Sequence, residues 1–168
     1  MAVNDQTKAN QKRDDLFASP LGNVPRFVFD QSVVDVFPDM IQRSVPGYQT
    51  IINLCGELAA RFVQPNSNCY DLGCSLGASS LAIRQQIDQP DVSIIAVDNS
   101  PAMLERCNSL LDKQNSATEV QLLEADICDI EIENASLVVM NFTLQFIPLD
   151  KRVALLEKIY AGLNPGGC

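Results

Sequence analysis

The sequence predicts an α/β protein built on a doubly wound, mostly parallel sheet, and three observations carry that expectation. From residue 69 onward, short apolar runs alternate with stretches of helical period across short loops, the pattern of βαβ units. The first run, Cys69-Tyr-Asp-Leu72, leads straight into two glycines four apart, Gly73 and Gly77, and then into helical sequence. The next run, Ser93-Ile-Ile-Ala-Val-Asp98, closes on a carboxylate 25 residues after Gly73. That is about the spacing at which an acidic residue meets a ribose hydroxyl in nucleotide-binding βαβ units. The glycines let the backbone tighten and come close to a ligand, because no Cβ blocks the way.

Taken in order, residues 1–15 are polar, mixed in charge and without hydrophobic period, and read as a flexible tail. Residues 16–62 read as an N-terminal helical cover. Its first part, 16–45, holds scattered aromatics (Phe17, Phe27, Phe29, Phe37) and three prolines, which suggests short elements. A helix then starts between Ser44 and Pro46, with Ile51, Leu54, Cys55, Leu58, Ala59 and Phe62 as one buried stripe. Tyr48 lies at its beginning, off the stripe, and reads from the residues alone as a rim tyrosine. The core, 63–168, has strands expected at 69–72, 93–98, 119–124 and 136–142. Helices are expected at 77–88, 100–114 and 149–163. Ser100-Pro101 is a strong helix start, since serine caps and proline at the first position gives up no needed hydrogen bond. Asp150 is placed to cap the last helix, whose apolar face reads as Val153, Leu156, Tyr160 and Leu163, and Asn164-Pro-Gly-Gly167 stops it. Cys168 follows directly, where a further strand is due. The expectation is therefore a piece of a longer enzyme, with an open sheet edge and uncovered apolar surface.

The 168 residues suit one domain. At 46% hydrophobic and 20% charged, the composition is that of a soluble globular protein. No apolar run approaches the roughly 18 residues of a membrane span, and the polar N-terminus lacks an apolar signal region. The six cysteines form no C-x-x-C pair, which favours reduced, buried thiols in a cytoplasm over disulfides or zinc. There is no histidine, so histidine-assisted nucleophiles and histidine-ligated metals are excluded. No metal is expected. The net charge of −9, with only Lys12-Arg13 and Lys151-Arg152 as adjacent basic pairs, disfavours direct nucleic-acid binding and favours small-molecule chemistry.

Ligands of doubly wound sheets bind beyond the carboxyl ends of the strands. Those ends carry Asp71 with Gly73 to Gly77, Asp98-Asn99, Asp126-Ile127 and Asn141. Loop and capping roles also favour Asp and Asn, but here all four strands end in them. Asp98 is assigned to the ribose hydroxyls, Asn99 to the flank of the base, and Asp126 with the Ile127 amide to the polar edge of the base. The backbone of Gly73, Cys74 and Ser75 lines the path of the tail. A pyrophosphate loop wants a glycine where Ser75 stands. That points to a nucleoside without pyrophosphate, such as S-adenosyl-L-methionine, whose sulfonium suits an acidic site.

Asp71-x-Gly73-x-x-x-Gly77, Asp98, Glu124-Ala-Asp126 and Gly162-Leu-Asn-Pro-Gly-Gly167 resemble the motif series of class I S-adenosyl-L-methionine-dependent methyltransferases. More narrowly, five stretches resemble the carboxy-S-adenosyl-L-methionine synthase family: 36–48, 70–77, 96–103, 132–136 and 141–146. The resemblance runs from about residue 14 to the end. It implies the Rossmann-like class I methyltransferase fold, truncated before the last strands, with S-adenosyl-L-methionine as a substrate. It further implies conversion of S-adenosyl-L-methionine and prephenate to carboxy-S-adenosyl-L-methionine and phenylpyruvate, for tRNA wobble-uridine modification. In that chemistry a sulfonium ylide captures the carbon dioxide that prephenate releases. Ligand contacts carry over onto Tyr48, Gly73, Cys74, Ser75, Asp98, Asn99, Asp126, Ile127 and Asn141, so Tyr48 becomes a binder of the tail or of the added carboxylate. Family members extend past Cys168, supply there an arginine for that carboxylate, and form homodimers. Little or no synthase activity is therefore expected of these 168 residues alone. Other readings of the sequence are a methyltransferase for a small molecule or tRNA, and a non-catalytic nucleoside-binding module.

Overall fold

The computed structural model describes residues 31–114 and 118–168. In chain order it contains α1 (Gln31–Ser44), α2 (Tyr48–Phe62), β1 (Asn68–Leu72), α3 (Ala78–Gln86), β2 (Ser93–Asp98), α4 (Pro101–Leu111), β3 (Glu119–Glu124), β4 (Ala135–Val139), a 3-10 turn (Leu144–Phe146) and α5 (Leu149–Gly162). Among the described residues the four strands form one sheet in the order β3-β2-β1-β4, and every pairing is parallel. The α/β fold and the doubly wound sheet are as the sequence predicts. No helix among the described residues is long and apolar enough to cross a membrane.

Strand alternation decides where the carboxylates go. Cys69, Ile94, Leu137 and Val139 pack on one face with Cys55, Ala59 and Ile83 from α2 and α3. Tyr70, Leu72 and Val97 pack on the other with Ile127, Ile132 and Leu155. Because side chains alternate along a strand, Asp71 falls on the α2–α3 face. Its register partner is Ala96, two residues before Asp98. Both carboxylates thus meet at the carboxyl edge of the two central strands, on the same side of the sheet. Ser100 caps α4 as expected, its Oγ accepting from the Met103 amide at 3.2 Å with Pro101 behind it. Four of the six cysteines, Cys55, Cys69, Cys74 and Cys107, are buried, and all six are free thiols.

Several expectations are corrected. The segment expected to hold short elements contains one 14-residue helix, α1, with Pro38 inside it; Phe17, Phe27, Phe29 and the polar tail lie outside the described residues. The buried face of α2 is Ile52, Cys55, Gly56 and Ala59, while Leu54 is 54% exposed. Gly56 turns the helix this way, because its missing side chain admits the Ala82 carbonyl of α3. β4 ends at Val139, three residues before the expected 142.

The largest correction concerns α5. Of its expected apolar face, Val153, Leu156 and Tyr160 are 64%, 46% and 82% exposed, whereas Leu163 packs against the core as expected, beside Ile159 and the buried Leu155. Basic groups tie the helix to its neighbouring loops. Lys158 Nζ donates to the carbonyls of Cys128 and Ile130 at 2.6 and 2.9 Å, and Arg152 donates to those of Ile147 and Gln145. Arg152 and Lys158 thus satisfy loop carbonyls at the border of the side on which Leu155 and Ile159 pack. Asp150 makes no side-chain cap; Pro148 occupies that position. The edge expected to be open is also partly closed. The Asn164 and Cys168 amides donate to Ala135 and Ser136 of β4, and the Val138 amide donates to the Cys168 carbonyl. The remaining edge strand is β3, half exposed along its length.

Gly162 fixes how α5 returns to the sheet. A Cβ there would sit 2.7 Å from the Ile132 carbonyl carbon and 2.8 Å from its Cγ2, contacts that a backbone neighbour cannot relieve. Gly162→Ala is expected to cost about 3 kcal/mol by overpacking. The melting temperature should then fall by roughly 6–12 °C in a thermal scan; an unchanged melting temperature would show that α5 can shift freely.

Candidate functional site

A cavity of about 420 Å3 opens at the carboxyl ends of β1 and β4, under α1 and α2. Tyr48, Asp71, Gly73, Cys74, Ser75 and Asn141 all line it. Five of the nine residues named from the sequence therefore converge on one space. Tyr48 owes its position to the tight turn at Gly47, whose φ of 76° ends the α1–α2 connection and makes Tyr48 the first residue of α2.

The loop after β1 has a definite polarity. The amides of Gly73 and Cys74 both donate to the Val97 carbonyl, at 2.8 and 2.9 Å. The Ser75 amide donates to Asp98 Oδ2 at 2.9 Å, and the Gly77 amide to the Cys74 carbonyl at 2.8 Å. Ser75 holds a left-handed φ of 51° where a pyrophosphate loop has glycine, and its hydroxyl lies 3.5 Å from Met103 Sδ. With these donors engaged inside the protein, the loop is no nest for phosphate. With the Asp71 carboxylate lining the cavity beside it, the setting suits a cation better than an anion.

The carboxylates of Asp71 and Asp98 are held differently. Asp71 is buried and accepts from the Ser80 amide at 3.0 Å and from the Ser80 hydroxyl at 2.6 Å, in the first turn of α3. Burial nevertheless dominates and lifts its pKa to about 6, with the charge of Asp98 adding to the rise. Asp98 accepts from Ser75 through Oδ2 and from the Ser100 amide through Oδ1, both at 2.9 Å. Its pKa is raised by burial against those amide bonds. Tyr48 is pushed up by burial and then by the fields of Asp71 and Cys55, so its hydroxyl stays protonated at neutral pH. Asn141 Nδ2 donates to Ser79 Oγ at 2.9 Å and approaches Cys55 Sγ at 3.1 Å, fixing the end of β4 to α3 and α2.

The other four residues named from the sequence lie outside this cavity, toward β2 and β3. Asp98 anchors the loop from behind. Asn99 follows it and is exposed. Asp126 is exposed and its Oδ1 accepts from the Cys128 amide at 2.9 Å, while Ile127 is buried in the core. The sequence assigned no role to Ser79, Phe142 or Thr143, which also line the cavity. Only the fold brings them there. Thr143 fills the space a side chain at Gly73 would need, with its Cγ2 2.5 Å from that Cβ position.

The profile of a methyltransferase domain matches residues 70–167. The chain belongs to the methyltransferase-domain family. Among curated proteins, the carboxy-S-adenosyl-L-methionine synthases of Klebsiella pneumoniae and Vibrio cholerae are 57% and 60% identical to it over 155 and 159 residues. Those alignments cover 92% and 95% of this chain and 63% and 65% of the relatives, so the chain spans somewhat less than two thirds of their length. Among solved structures, the cyclopropane synthase MmaA2 of Mycobacterium tuberculosis superposes with a TM-score of 0.56 at 18% identity, over 70% of this chain and 39% of that one. The mycolic acid cyclopropane synthase CmaA1, solved with SAH and CTAB, gives 0.56 at 14% identity, over 73% and 42%. At such identities the likeness is one of fold: the class I methyltransferase fold expected from the motifs. The resemblance to the synthase family, stated from five short stretches, extends over almost the whole chain in these relatives.

Proposed function

We propose that this chain is the S-adenosyl-L-methionine-binding part of a carboxy-S-adenosyl-L-methionine synthase. The observation that carries the reading is the polarity of the Gly73–Ser75 loop. Its amides are engaged on Val97 and Asp98, while Asp71 lines the cavity and Asp98 stands behind the loop at the neighbouring strand end. A sulfonium and an ammonium gain there what a pyrophosphate would lose.

The strand order β3-β2-β1-β4 supports the following layout of the nucleoside. The Asp126–Ile127 segment reads the base, Asn99 flanks it, Asp98 takes the ribose hydroxyls, and Gly73, Cys74 and Ser75 line the tail. Asn141 and Tyr48 close the far end. The name of the curated relatives supports a product that is a carboxylated S-adenosyl-L-methionine; in this reading the sulfonium carbon acquires the carboxylate, with prephenate as the donor and phenylpyruvate as the second product. The product serves tRNA wobble-uridine modification through another enzyme, so this acidic chain needs no tRNA contact. The whole protein is a cytoplasmic homodimer in this reading, and no metal takes part.

No lysine or arginine is among the described residues that line the cavity. A carboxylated ligand beside Asp71 therefore lacks a counter-charge here. The 168-residue chain alone is expected to bind the nucleoside and to turn over weakly or not at all. Mass spectrometry of nucleoside eluted from the purified protein, before and after incubation with S-adenosyl-L-methionine and prephenate, tests this. A species heavier by one carbon dioxide, formed by the full-length form, supports the synthase. Methyl transfer to an added acid or tRNA would replace it with an ordinary methyltransferase. Steady formation of the carboxylated species by the 168 residues alone would refute the expected dependence on an outside cation.

A further inference from the structure

Two adjacent serines in the first turn of α3 each engage a polar side chain of the cavity. Ser80 holds Asp71, its amide and its hydroxyl both donating to Oδ2, at 3.0 and 2.6 Å. Ser79 Oγ accepts from Asn141 Nδ2 at 2.9 Å. Each bond leaves the other end of its partner bare. Among the described residues Asp71 Oδ1 and Asn141 Oδ1 make no hydrogen bond, and both residues line the cavity.

Asp71 has little else to hold its charge. It is 2% exposed, so water does little to solvate its carboxylate. The groups that face it bring no positive charge. Tyr48 of α2 is protonated and neutral, and Cys74 of the loop is a protonated thiol. Asp98 of β2 is a second carboxylate, whose field opposes ionisation. The lining residues from α1 and from the β4–α5 loop are all uncharged. Ser80 is what remains. Its hydroxyl bond has the length of a charge-assisted O–H···O⁻ contact. Its amide belongs to the first turn of a helix, where unpaired N–H groups favour an anion. The serine is itself fully buried, so no water competes for its hydroxyl.

We propose that Ser80 is a positioning residue for the cationic tail of the nucleoside. By gripping Asp71 through Oδ2 it keeps that carboxylate charged and leaves Oδ1 free to receive the cation, while Ser79 leaves the Asn141 carbonyl oxygen free in the same cavity. Ser80 touches no ligand and acts through Asp71; the bound cation then supplies the counter-charge that the cavity wall lacks. The inference rests on the nucleoside reading above and deepens it.

Carboxyl 13C NMR follows the titration of Asp71 in the ligand-free wild-type chain, in Ser80→Ala and in Ser80→Thr. Calorimetry between pH 5 and 7 follows S-adenosyl-L-methionine binding to the same proteins. Losing the hydroxyl withdraws support from the ionised form alone, so the Asp71 midpoint is expected to rise by about one pH unit in Ser80→Ala, the size of one hydrogen bond to a charged group. Relative to wild type, nucleoside affinity should then fall about twofold at pH 7 and roughly fivefold at pH 6, since only the carboxylate attracts the cation. Ser80→Thr keeps the hydroxyl and is expected to restore both profiles. Ser80→Cys, a weaker donor of similar size, should move the midpoint in the same direction and takes the place of an alanine variant that does not fold. A serine with a purely structural role would lower affinity by one factor at every pH. That result, or an Asp71 midpoint unmoved without the hydroxyl, would overturn the role of Ser80 and leave the nucleoside reading standing. Failure of the wild-type chain to bind S-adenosyl-L-methionine at any pH would overturn both.

Discussion

Asp98→Ala should raise the dissociation constant for S-adenosylhomocysteine by at least about tenfold, and it should do so by two routes. The carboxylate is the proposed acceptor for the ribose hydroxyls, and a charge-assisted hydrogen bond to a bound hydroxyl contributes roughly 1.5–3 kcal/mol, which is about one to two decades in affinity. The same carboxylate accepts from the Ser75 and Ser100 amides at 2.9 Å. Removing it releases the left-handed Ser75 turn from β2 and leaves two partly buried amides without their acceptor. The loop that lines the cavity then loses its anchor as well as its ligand contact. Asp98→Asn separates the routes. One amide oxygen can still serve one of the two backbone donors and keep the turn partly pinned, so its stability should lie between wild type and alanine while its affinity stays low. Isothermal titration calorimetry with thermal melts of the three proteins reads both. Unchanged affinity in Asp98→Ala would remove Asp98 from the ribose site.

Much of this architecture was legible in the sequence, because the signals involved are local. The Asp71–Gly77 stretch and the run closing at Asp98 announce strand, turn and strand with little help from the rest of the chain. Ser100-Pro101 marks a helix start whose cap depends on residues three apart. The errors arose where distant groups decide. The stripe expected on α2 was rotated because Gly56 admits the Ala82 carbonyl of another helix, a packing fact with no periodic signature. On α5, Val153, Leu156 and Tyr160 face outward while Leu155 and Ile159 face the core, and Lys158 and Arg152 reach the carbonyls of two loops. Hydrophobic period counts apolar residues and is blind to unsatisfied backbone oxygens. In the site, the residues at strand ends could be named in advance, since topology places every parallel strand end at one edge. Ser79 and Phe142 could not, because they arrive from a helix face and from a loop in a rare conformation. Asp71 was visible as a strand-end carboxylate, but its burial, and hence its chemistry, was not.

That burial gives the second large effect, in which stability and affinity run in opposite directions with pH. Asp71 has a folded-state pKa of about 6 against an ordinary 3.8, raised chiefly by burial. Between those values the folded chain holds more protons at this site than the unfolded chain does, so stability must fall as pH rises. The ionised form costs the fold about 3 kcal/mol above pH 6, and that cost disappears as pH drops through 6 toward 4. Asp98 shifts in the same direction and adds to the slope. A sulfonium or ammonium beside Asp71 reverses the preference, since the cation favours the carboxylate. S-adenosyl-L-methionine should therefore bind more weakly as pH falls below 6, roughly tenfold per unit at most, and its binding near pH 6 should release protons. Asp71→Asn keeps an acceptor for the Ser80 amide and hydroxyl while removing the ionisation. It is expected to be more stable than wild type at pH 7, to lose most of the slope between pH 4 and 6, and to bind the sulfonium nucleoside poorly throughout. Denaturant melts at pH 4.5 and 7, with calorimetry in buffers of different ionisation heat, measure both quantities. A wild-type chain whose stability rises from pH 4.5 to 7 by more than that of Asp71→Asn would reverse the sign assigned to Asp71. An Asp71→Asn protein that binds as tightly as wild type at pH 7 would show that the strain of burying this carboxylate serves no ligand.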